Sequence, residues 1–502
     1  MNLAGLAERY SGNTSAVVVE IDTAGRRRTL THAELYELAV TRADQLRAAG
    51  VLPGHVVGIR ANNSLDWAAW DLAVLLCGAV LEAFPDDTAL DDVEEFTAHH
   101  GLALLITDDE ASGSRPYVIG PSDVPDEKVV PVTARHEEAE DLHSLVYSSG
   151  TSGRLKGLRI SRKGTEYVIG RFVDAFSVTA EDRHLIFLPL SNYQQRLSLY
   201  CCLWTGADLI LTPFQRVFAA IAAERPTFLI GPPVFYDTAL GLYRKSGGGA
   251  SLGDFLGGRI RFLITGMAPI RRETLEAFRD GGVRLLEAYG MTESGMIAWN
   301  TEDAHRIGSV GRLIDPDAVT LLSDGELIIR RPAPLSTGYF DTGGEAADQT
   351  FRSDGSIVTG DYGRLDEDGF LTLLGRKKDV IALGSGRKVH PAEIEAFFAG
   401  VEGIAELLVV PTAQSQRLGA IVTPSPDGPE PQEAVRRRIN EVNQTLEPYQ
   451  RVMSVVFSAQ PLRSDPRFMT GNMKVSRQRA ADFFTQALAE QSPPRAAGGR
   501  GA

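Results

Sequence analysis

The chain has 502 residues, 43% of them hydrophobic and 23% charged, and a formal net charge of −14 at pH 7. That length exceeds what one hydrophobic core serves, so it predicts two or more domains of ordinary globular composition. The negative balance argues against nonspecific nucleic-acid binding and against anionic membranes, while leaving room for an anionic substrate held by a few local cations and a metal.

The N-terminal MNLAGLAERYSG lacks a basic segment followed by an apolar core and does not read as a signal peptide. Thr31 with Glu34 three positions on forms a capping box, opening a helix over 31–50 that Gly50 ends. Residues 55–61 then read as a strand, 66–80 as a helix, and 102–108 and 144–149 as strands. The most apolar run, 72–84, stops short of the ~20 residues of a membrane helix and carries Glu82, so it reads as a buried helix of a soluble, cytoplasmic protein with no membrane span. Cys77, Cys201 and Cys202 form no C-x-x-C and no zinc spacing; they read as buried hydrophobes in a reduced compartment.

Strands continue at 184–190, 207–212, 227–233 and 259–266, with a helix at 271–281. Apolar strands alternating with amphipathic helices predict an α/β fold with largely parallel sheets. From about residue 305, short strands at 325–330, 355–361 and 369–375 predict a β-rich subdomain. GRKKD (375–379) reads as a joint to a small α+β unit, with helices at 391–399 and 431–446 and strands near 405–410, 418–423 and 453–457. The expected division is a large N-terminal domain over 1–376, a small mobile C-terminal domain over 377–490, and a disordered tail over 491–502.

The stretch YSSGTSGRLKG (147–157) has the look of a phosphate-holding loop, yet the P-loop pattern needs glycine directly before lysine and Leu155 stands there. Gly150 and Gly153 free backbone N–H groups to approach an anion, Ser148, Thr151 and Ser152 add hydroxyls, and Lys156 adds a point charge. EAYGMTESG (287–295) puts an aromatic face, a hydroxyl and a carboxylate within five residues, suited to stacking a base, bonding a phosphate and holding Mg²⁺. TGMAPI (265–270) ends a strand with backbone groups free to read a purine edge, and Asp361 in TGD (359–361) offers a carboxylate for ribose hydroxyls. Each of these segments alone reads at least as well as a turn, and TGD alone reads better as one.

Together and in this order they resemble the adenylate-forming superfamily of acyl- and aryl-CoA ligases, luciferases and peptide-synthetase adenylation domains, nearest in character to long-chain acyl-CoA synthetases. SSGTSGRLK (148–156), YGMTE (289–293), GEL…STGYF (325–340), TGD (359–361) and GRKKDVIALGSGRKVHPAEIE (375–395) carry the resemblance, which runs from about residue 30 to 480. It implies ATP, Mg²⁺ and CoA, and two half-reactions: a carboxylate attacks the α-phosphorus to give acyl-AMP and pyrophosphate, then a thiol displaces AMP. By matching motif, Ser148, Ser149, Gly150, Thr151, Ser152, Gly153 and Lys156 handle the β- and γ-phosphates. Thr292 contacts the α-phosphate and Glu293 binds Mg²⁺. Tyr289 stacks on adenine beside Gly290 and Met291, with Gly266, Met267 and Ala268 along the base edge; Asp361 and Arg376 hold the ribose. FMTGNMKVSR (468–477) resembles the last motif and puts the catalytic lysine at Lys474. Lys378 matches the pivot of the small domain, and Ser385 and Gly386 face the thiol channel.

LPLSNYQQR (188–196) resembles the long-chain segment L-P-L-A-H-x-x-E-R, with Asn192 in place of histidine and Gln195 in place of glutamate. The expected pocket walls are Asn192, Tyr193, Val234, Phe235, Met267 and Met296, mostly apolar and without a cation for a second carboxylate. No aspartate occurs between Leu188 and Trp204, where amino-acid-activating members hold the ammonium; Asp237 is the nearest other candidate. The expected activity is ATP-dependent ligation of a bulky apolar carboxylic acid to CoA. The alternatives are loading of an acyl or peptidyl carrier protein, with Arg387 and Lys388 as a basic patch, and a nucleotide-binding pseudoenzyme.

Overall fold

The computed structural model describes residues 2–108, 117–119, 141–149, 155–247, 249–340, 349–412, 416–425, 431–462, 465, 467–468 and 475–491. Two large sheets dominate. The nine-stranded sheet runs Arg312–Leu313, Gly295–Trp299, Leu285–Met291, Phe262–Thr265, Phe228–Gly231, Arg183–Ile186, Asp208–Leu211, Val17–Ile21, Arg27–Thr31. Its six consecutive strands from Leu285–Met291 to Val17–Ile21 are parallel. The seven-stranded sheet runs Ser336–Tyr339, Leu155–Ser161, Leu142–Ser149, Val80–Ala83, Val56–Arg60, Leu104–Thr107, Tyr117–Ile119, with the four strands from Leu142–Ser149 to Leu104–Thr107 parallel. A four-stranded antiparallel sheet spans 319–376, and a three-stranded sheet with flanking helices forms the C-terminal part. The fold is therefore α/β with a β-rich subdomain and a small α+β unit, as the sequence predicts.

Helix α1 (His32–Ala48) starts at the capping box read from the sequence: Glu34 N–H donates to Thr31 Oγ1 at 3.1 Å, and Thr31 N–H donates to Glu34 Oε2 at 2.7 Å. Helix α2 (Leu65–Leu76) is buried on every side from Leu65 to Val74, as expected of a helix apolar all round its axis. It lies between the two large sheets, because one core cluster joins Val18, Ile186 and Leu209 of the first to Val57, Ile59 and Leu81 of the second. Among the described residues, no helix is long and apolar enough to cross a membrane.

One expectation is corrected. The run 72–84 is not a single helix: α2 ends at Leu76, Gly78 turns the chain at φ 65°, and Val80–Ala83 is a buried parallel strand. A run apolar on all sides carries neither a 3.6- nor a 2-residue period, so its turn is invisible to pattern reading. Glu82 lies in that strand and accepts a hydrogen bond from the Tyr147 hydroxyl at 2.6 Å, with His100 Nδ1 at 3.0 Å. The N-terminal hairpin Val17–Thr31 also escaped the sequence reading.

Three elements meet at a buried ionic centre. Helix α3 (Arg162–Phe176) and helix α4 (Tyr193–Thr205) pack against α2 and strand β1 (Leu142–Ser149). Arg196 of α4 donates to Asp71 Oδ1 of α2 at 2.6 Å and to Ser144 Oγ of β1 at 2.6 Å, while the Tyr200 hydroxyl donates to Asp71 Oδ2 at 2.7 Å. Alongside, His143 Nε2, Thr165 Oγ1 and the Tyr193 hydroxyl share hydrogen bonds of 2.5–3.0 Å. Burial, reinforced by the Arg196 charge, drives the His143 imidazole well below its ordinary range, so it stays neutral. Replacing one partner of a buried pair leaves the other charge unmatched. Asp71→Asn is expected to cost about 3–5 kcal/mol of stability, read as a lowered urea midpoint; a midpoint within error of wild type would contradict this.

Candidate active site

The strand after the Ser/Gly loop, Leu155–Ser161, pairs antiparallel with β1, Ser148 facing Lys156 and Ser149 facing Leu155 across the ladder. Gly150, Thr151, Ser152 and Gly153 lie outside the described residues, as does Lys474. Lys156 Nζ stands 4.9 Å from the centroid of the Tyr339 ring, a cation–π geometry. The Tyr339 hydroxyl donates to Glu293 Oε1 at 2.9 Å, and Ser336 N–H donates to the Glu293 carbonyl at 3.2 Å. The strand Ser336–Tyr339, part of the STGYF motif, thus joins the exit of the loop to the acidic residue.

Thr292, Glu293 and Ser294 form a three-residue connection between strands β2 (Leu285–Met291) and β3 (Gly295–Trp299). Such a loop needs a left-handed residue at its end, and Gly295 supplies it at φ 75°. Gly290 allows an equally close approach: a Cβ there would lie 2.8 Å from the Gly295 carbonyl and 2.9 Å from Met296 Sδ. The buried Tyr289 hydroxyl donates to Asp361 Oδ2 at 2.6 Å, and Arg376 Nε lies 3.4 Å from Asp361 Oδ1. Asp361 and Arg376 face each other directly on paired strands Ile357–Leu365 and Leu371–Arg376. Burial, then the Asp361 charge, raises the Tyr289 phenol well above its usual value, which keeps it a neutral donor.

The turn Gly266-Met267-Ala268 abuts β2, since a Cβ on Gly266 would come 3.1 Å from the Ala288 carbonyl. Met267 has φ 72°, a left-handed conformation uncommon outside glycine. Lys378 is exposed on the one-turn helix Lys377–Asp379, with its ammonium pKa lowered chiefly by partial desolvation; its neighbour Lys377 pairs with the buried Glu326 at 2.7 Å. Ser385 and Gly386 are exposed in a turn between Ile381–Ala382 and Lys388–Val389.

Beside Tyr289 lies an apolar pocket with about 470 Å³ of space not filled by atoms, counting space open to solvent. Phe172 of α3, Ile230, Ile264, Ala288, Met296 and Trp299 form much of its wall. Among the described residues that line it, none is charged; Gln194, Ser198 and the Cys201 thiol are its polar groups. Burial pushes the Cys201 thiol up to about 12.

Met296 is an expected wall residue found there. The other five are not. Tyr193 is buried with its hydroxyl committed to His143 and Thr165, and Phe235 is buried among Phe187 and Phe218 in a separate core cluster. Asn192 is exposed at the start of α4, accepting from Gln194 N–H at 3.2 Å, and Val234 is 52% exposed. Nor does Met267 line the cavity. The physical reason is helical phase. Gln194, Leu197, Ser198 and Cys201 fall at i, i+3, i+4 and i+7, one face of α4, and that face turns to the cavity. Recognising α4 as a helix would have found them. Asp237 accepts from Arg271 at 3.1 Å and from Thr274 at 2.5 Å.

The AMP-binding enzyme family matches residues 6–340, and the AMP-binding enzyme C-terminal domain matches residues 378–491. The chain is 25% identical over 465 residues to a long-chain-fatty-acid–CoA ligase, FadD15, of Mycobacterium bovis, spanning 77% of this chain and 76% of that one. It is 27% identical over 430 residues to a feruloyl-CoA synthase of Amycolatopsis sp, with 80% and 84% covered. The fold matches the crystal structure of the anthranilate CoA ligase AuaEII in complex with anthranoyl-AMP at TM-score 0.77, with 19% identity and 97% and 98% of the two chains covered.

Glu287, two residues before Tyr289, gives a testable pH effect. Burial raises its carboxyl to about 7, against a lowering by the Gly308 N–H. A raised acid favours the folded state while protonated, and that support fades as pH climbs from the unfolded value near 4.5 through about 7. Glu287→Gln never ionises, so its thermal midpoint should exceed wild type by a margin that widens from pH 5 to pH 8. A constant margin would refute the assignment.

Proposed function

The chain belongs to the AMP-binding enzyme family, and from that premise we propose that it activates an apolar carboxylic acid with ATP and hands the acyl group to the thiol of CoA. It is an AMP-forming acid–thiol ligase. A carboxylate is a poor electrophile; attack on the α-phosphorus of ATP releases pyrophosphate and gives acyl-AMP, whose carbonyl a thiol attacks readily. Relatives named as ligases or synthases of CoA thioesters support CoA over a carrier protein as acceptor.

The observation that carries the reading is a juxtaposition. The Lys156–Tyr339–Glu293 group and the Tyr289–Asp361–Arg376 group adjoin through the chain between Tyr289 and Glu293, and Met296 of the cavity pairs with Gly290 in that stretch. Phosphate-binding, ribose-binding and apolar surfaces therefore meet at one mouth. Tyr289 presents a face to adenine, Asp361 and Arg376 hold the ribose, and Thr292 lies at the turn where the α-phosphate would rest. Glu293, its carboxylate oriented by the Tyr339 hydroxyl, fits Mg²⁺, which typically takes one or two carboxylates and completes its shell with substrate phosphates and water. When bound, the ion neutralises phosphate charge. A charge-free cavity favours an acid with an apolar body, because an unpaired second charge there would be costly. Asp237, already engaged by Arg271 and Thr274, offers no site for an ammonium in that cavity.

Lys474 is proposed to bridge the attacking carboxylate and the α-phosphate oxygens, offsetting the repulsion of two anions. Adenylation needs it inside and thiolation needs its place, so the domain after residue 376 would pivot at Lys378 and bring Ser385 and Gly386 to the thiol path. The test is acid-dependent pyrophosphate release with AMP, not ADP, as co-product; ADP formation would overturn the reading. Lys474→Ala should slow adenylation by roughly a hundred- to a thousandfold, the usual loss for one transition-state donor. It should spare CoA thiolation of supplied acyl-AMP; equal loss of both half-reactions would refute the assigned role. Tyr289→Phe removes the donor to Asp361 and should raise KM for ATP by about tenfold with a smaller change in kcat.

A further inference from the structure

The one charge in the most apolar run of the sequence has no task in the reaction above. Glu82 stands in the strand Val80–Ala83 with none of its surface exposed. A carboxylate taken out of water is costly unless hydrogen bonds hold it. Glu82 Oε1 accepts from the Tyr147 hydroxyl at 2.6 Å and lies 3.0 Å from His100 Nδ1, at the end of the helix Val93–His100. Oε2 has no hydrogen-bond partner among the described residues. All the polar contact of this carboxylate therefore runs through one oxygen, and its shorter hydrogen bond is to Tyr147.

Tyr147 is where three segments of the phosphate end meet. Its backbone faces Gly157 across the ladder between β1 and Leu155–Ser161. Its ring lies edge-on to Phe340 with centroids 5.8 Å apart, and Phe340 N–H donates to the Gly157 carbonyl at 3.0 Å. Gly157 makes room for that ring, since a Cβ there would lie 2.4 Å from Phe340. Each member of this node adjoins, in the chain, a residue of the phosphate end. Ser148 follows Tyr147, and Lys156 precedes Gly157. Tyr339, whose ring faces Lys156 and whose hydroxyl donates to Glu293, precedes Phe340. Glu82, Tyr147 and Gly157 belong to the seven-stranded sheet, whereas the acid cavity is walled by α3, α4 and strands of the nine-stranded one.

We propose that Glu82 is a positioning residue for ATP: through the Tyr147 hydroxyl it fixes the Tyr147–Gly157–Phe340 node, and the node sets Lys156 and Tyr339 for the triphosphate. Glu82 touches no substrate and acts on the nucleotide rather than the acid. The proposal rests on the acid-ligase reading above and adds to it a residue remote from the motifs that carry it.

The test measures KM for ATP and KM for the acid by pyrophosphate release, with the thermal midpoint of each variant alongside. Tyr147→Phe keeps the ring and removes only the donor; it should raise KM for ATP about tenfold, the scale of one hydrogen bond to a charged group, and leave KM for the acid within about twofold. Glu82→Leu should do the same, and Glu82→Gln, which keeps an acceptor for Tyr147, should restore most of the ATP affinity. The double variant Glu82→Leu/Tyr147→Phe separates positioning from folding. It leaves no stranded carboxylate, so its thermal midpoint should match or exceed that of Tyr147→Phe, while its KM for ATP should stay raised. An unchanged KM for ATP in Tyr147→Phe, an equal rise in both KM values, or recovery of KM together with the midpoint in the double variant overturns the positioning role. Absence of acid-dependent pyrophosphate release from the wild-type protein would instead overturn the ligase reading, and this role with it.

Discussion

Arg196 and Asp71 form a buried ion pair with almost no solvent contact on either side chain. Neither charge could be held there alone, so each demands the other, and with them the elements that carry them. Asp71 comes from α2 between the sheets, Arg196 from α4, and Ser144, which completes the guanidinium's hydrogen bonding, from β1. From this one point β1 runs toward the Ser/Gly loop while α4 turns Gln194, Ser198 and Cys201 toward the cavity. The strand that leads to the Ser/Gly loop and the helix that faces the cavity are thus fixed to a single centre, and their separation cannot drift independently of the core.

The site above that centre divides its work by charge. Cations and carboxylates stand at the rim, where Lys156, Asp361 and Arg376 are carried on strands and Glu293 on a tight turn. The interior beside them is apolar. Under the proposed function, that division would let polyanionic and hydrophobic reactants meet without either being drawn into the other's surroundings. It depends on backbone approaches that side chains would block, at Gly290 and Gly266 above all.

Local signals in the sequence translated well into structure. The capping box at Thr31 and Glu34 needs only four residues, and it forms as read. The buried parallel strands around 184–190, 207–212 and 259–266 appear because their apolar runs are bounded by turns. The motif order around Tyr289, Glu293 and Asp361 gathers residues that the fold brings into direct contact. Long-range information was not legible in the same way. The 72–84 run hides a turn because burial on all sides erases periodicity, and only Gly78 hints at it. Tyr193 and Phe235 were expected at the cavity because they sit in the right segments, yet a helix rotates 100° per residue and both side chains face other cores. The partnership of Arg196 with Asp71 joins residues 125 apart in sequence, and nothing in either neighbourhood announces it.

Cys201 has a consequence of its own for a ligase of this kind. An activated acyl anhydride made at the cavity mouth would find a sulfhydryl lodged in its own binding chamber, a potential site of self-acylation. With ionisation deferred to about 12, that sulfur is disarmed at physiological pH. If the proposed acid occupies this chamber, the same burial that keeps it apolar would also keep Cys201 from competing with the incoming cofactor thiol.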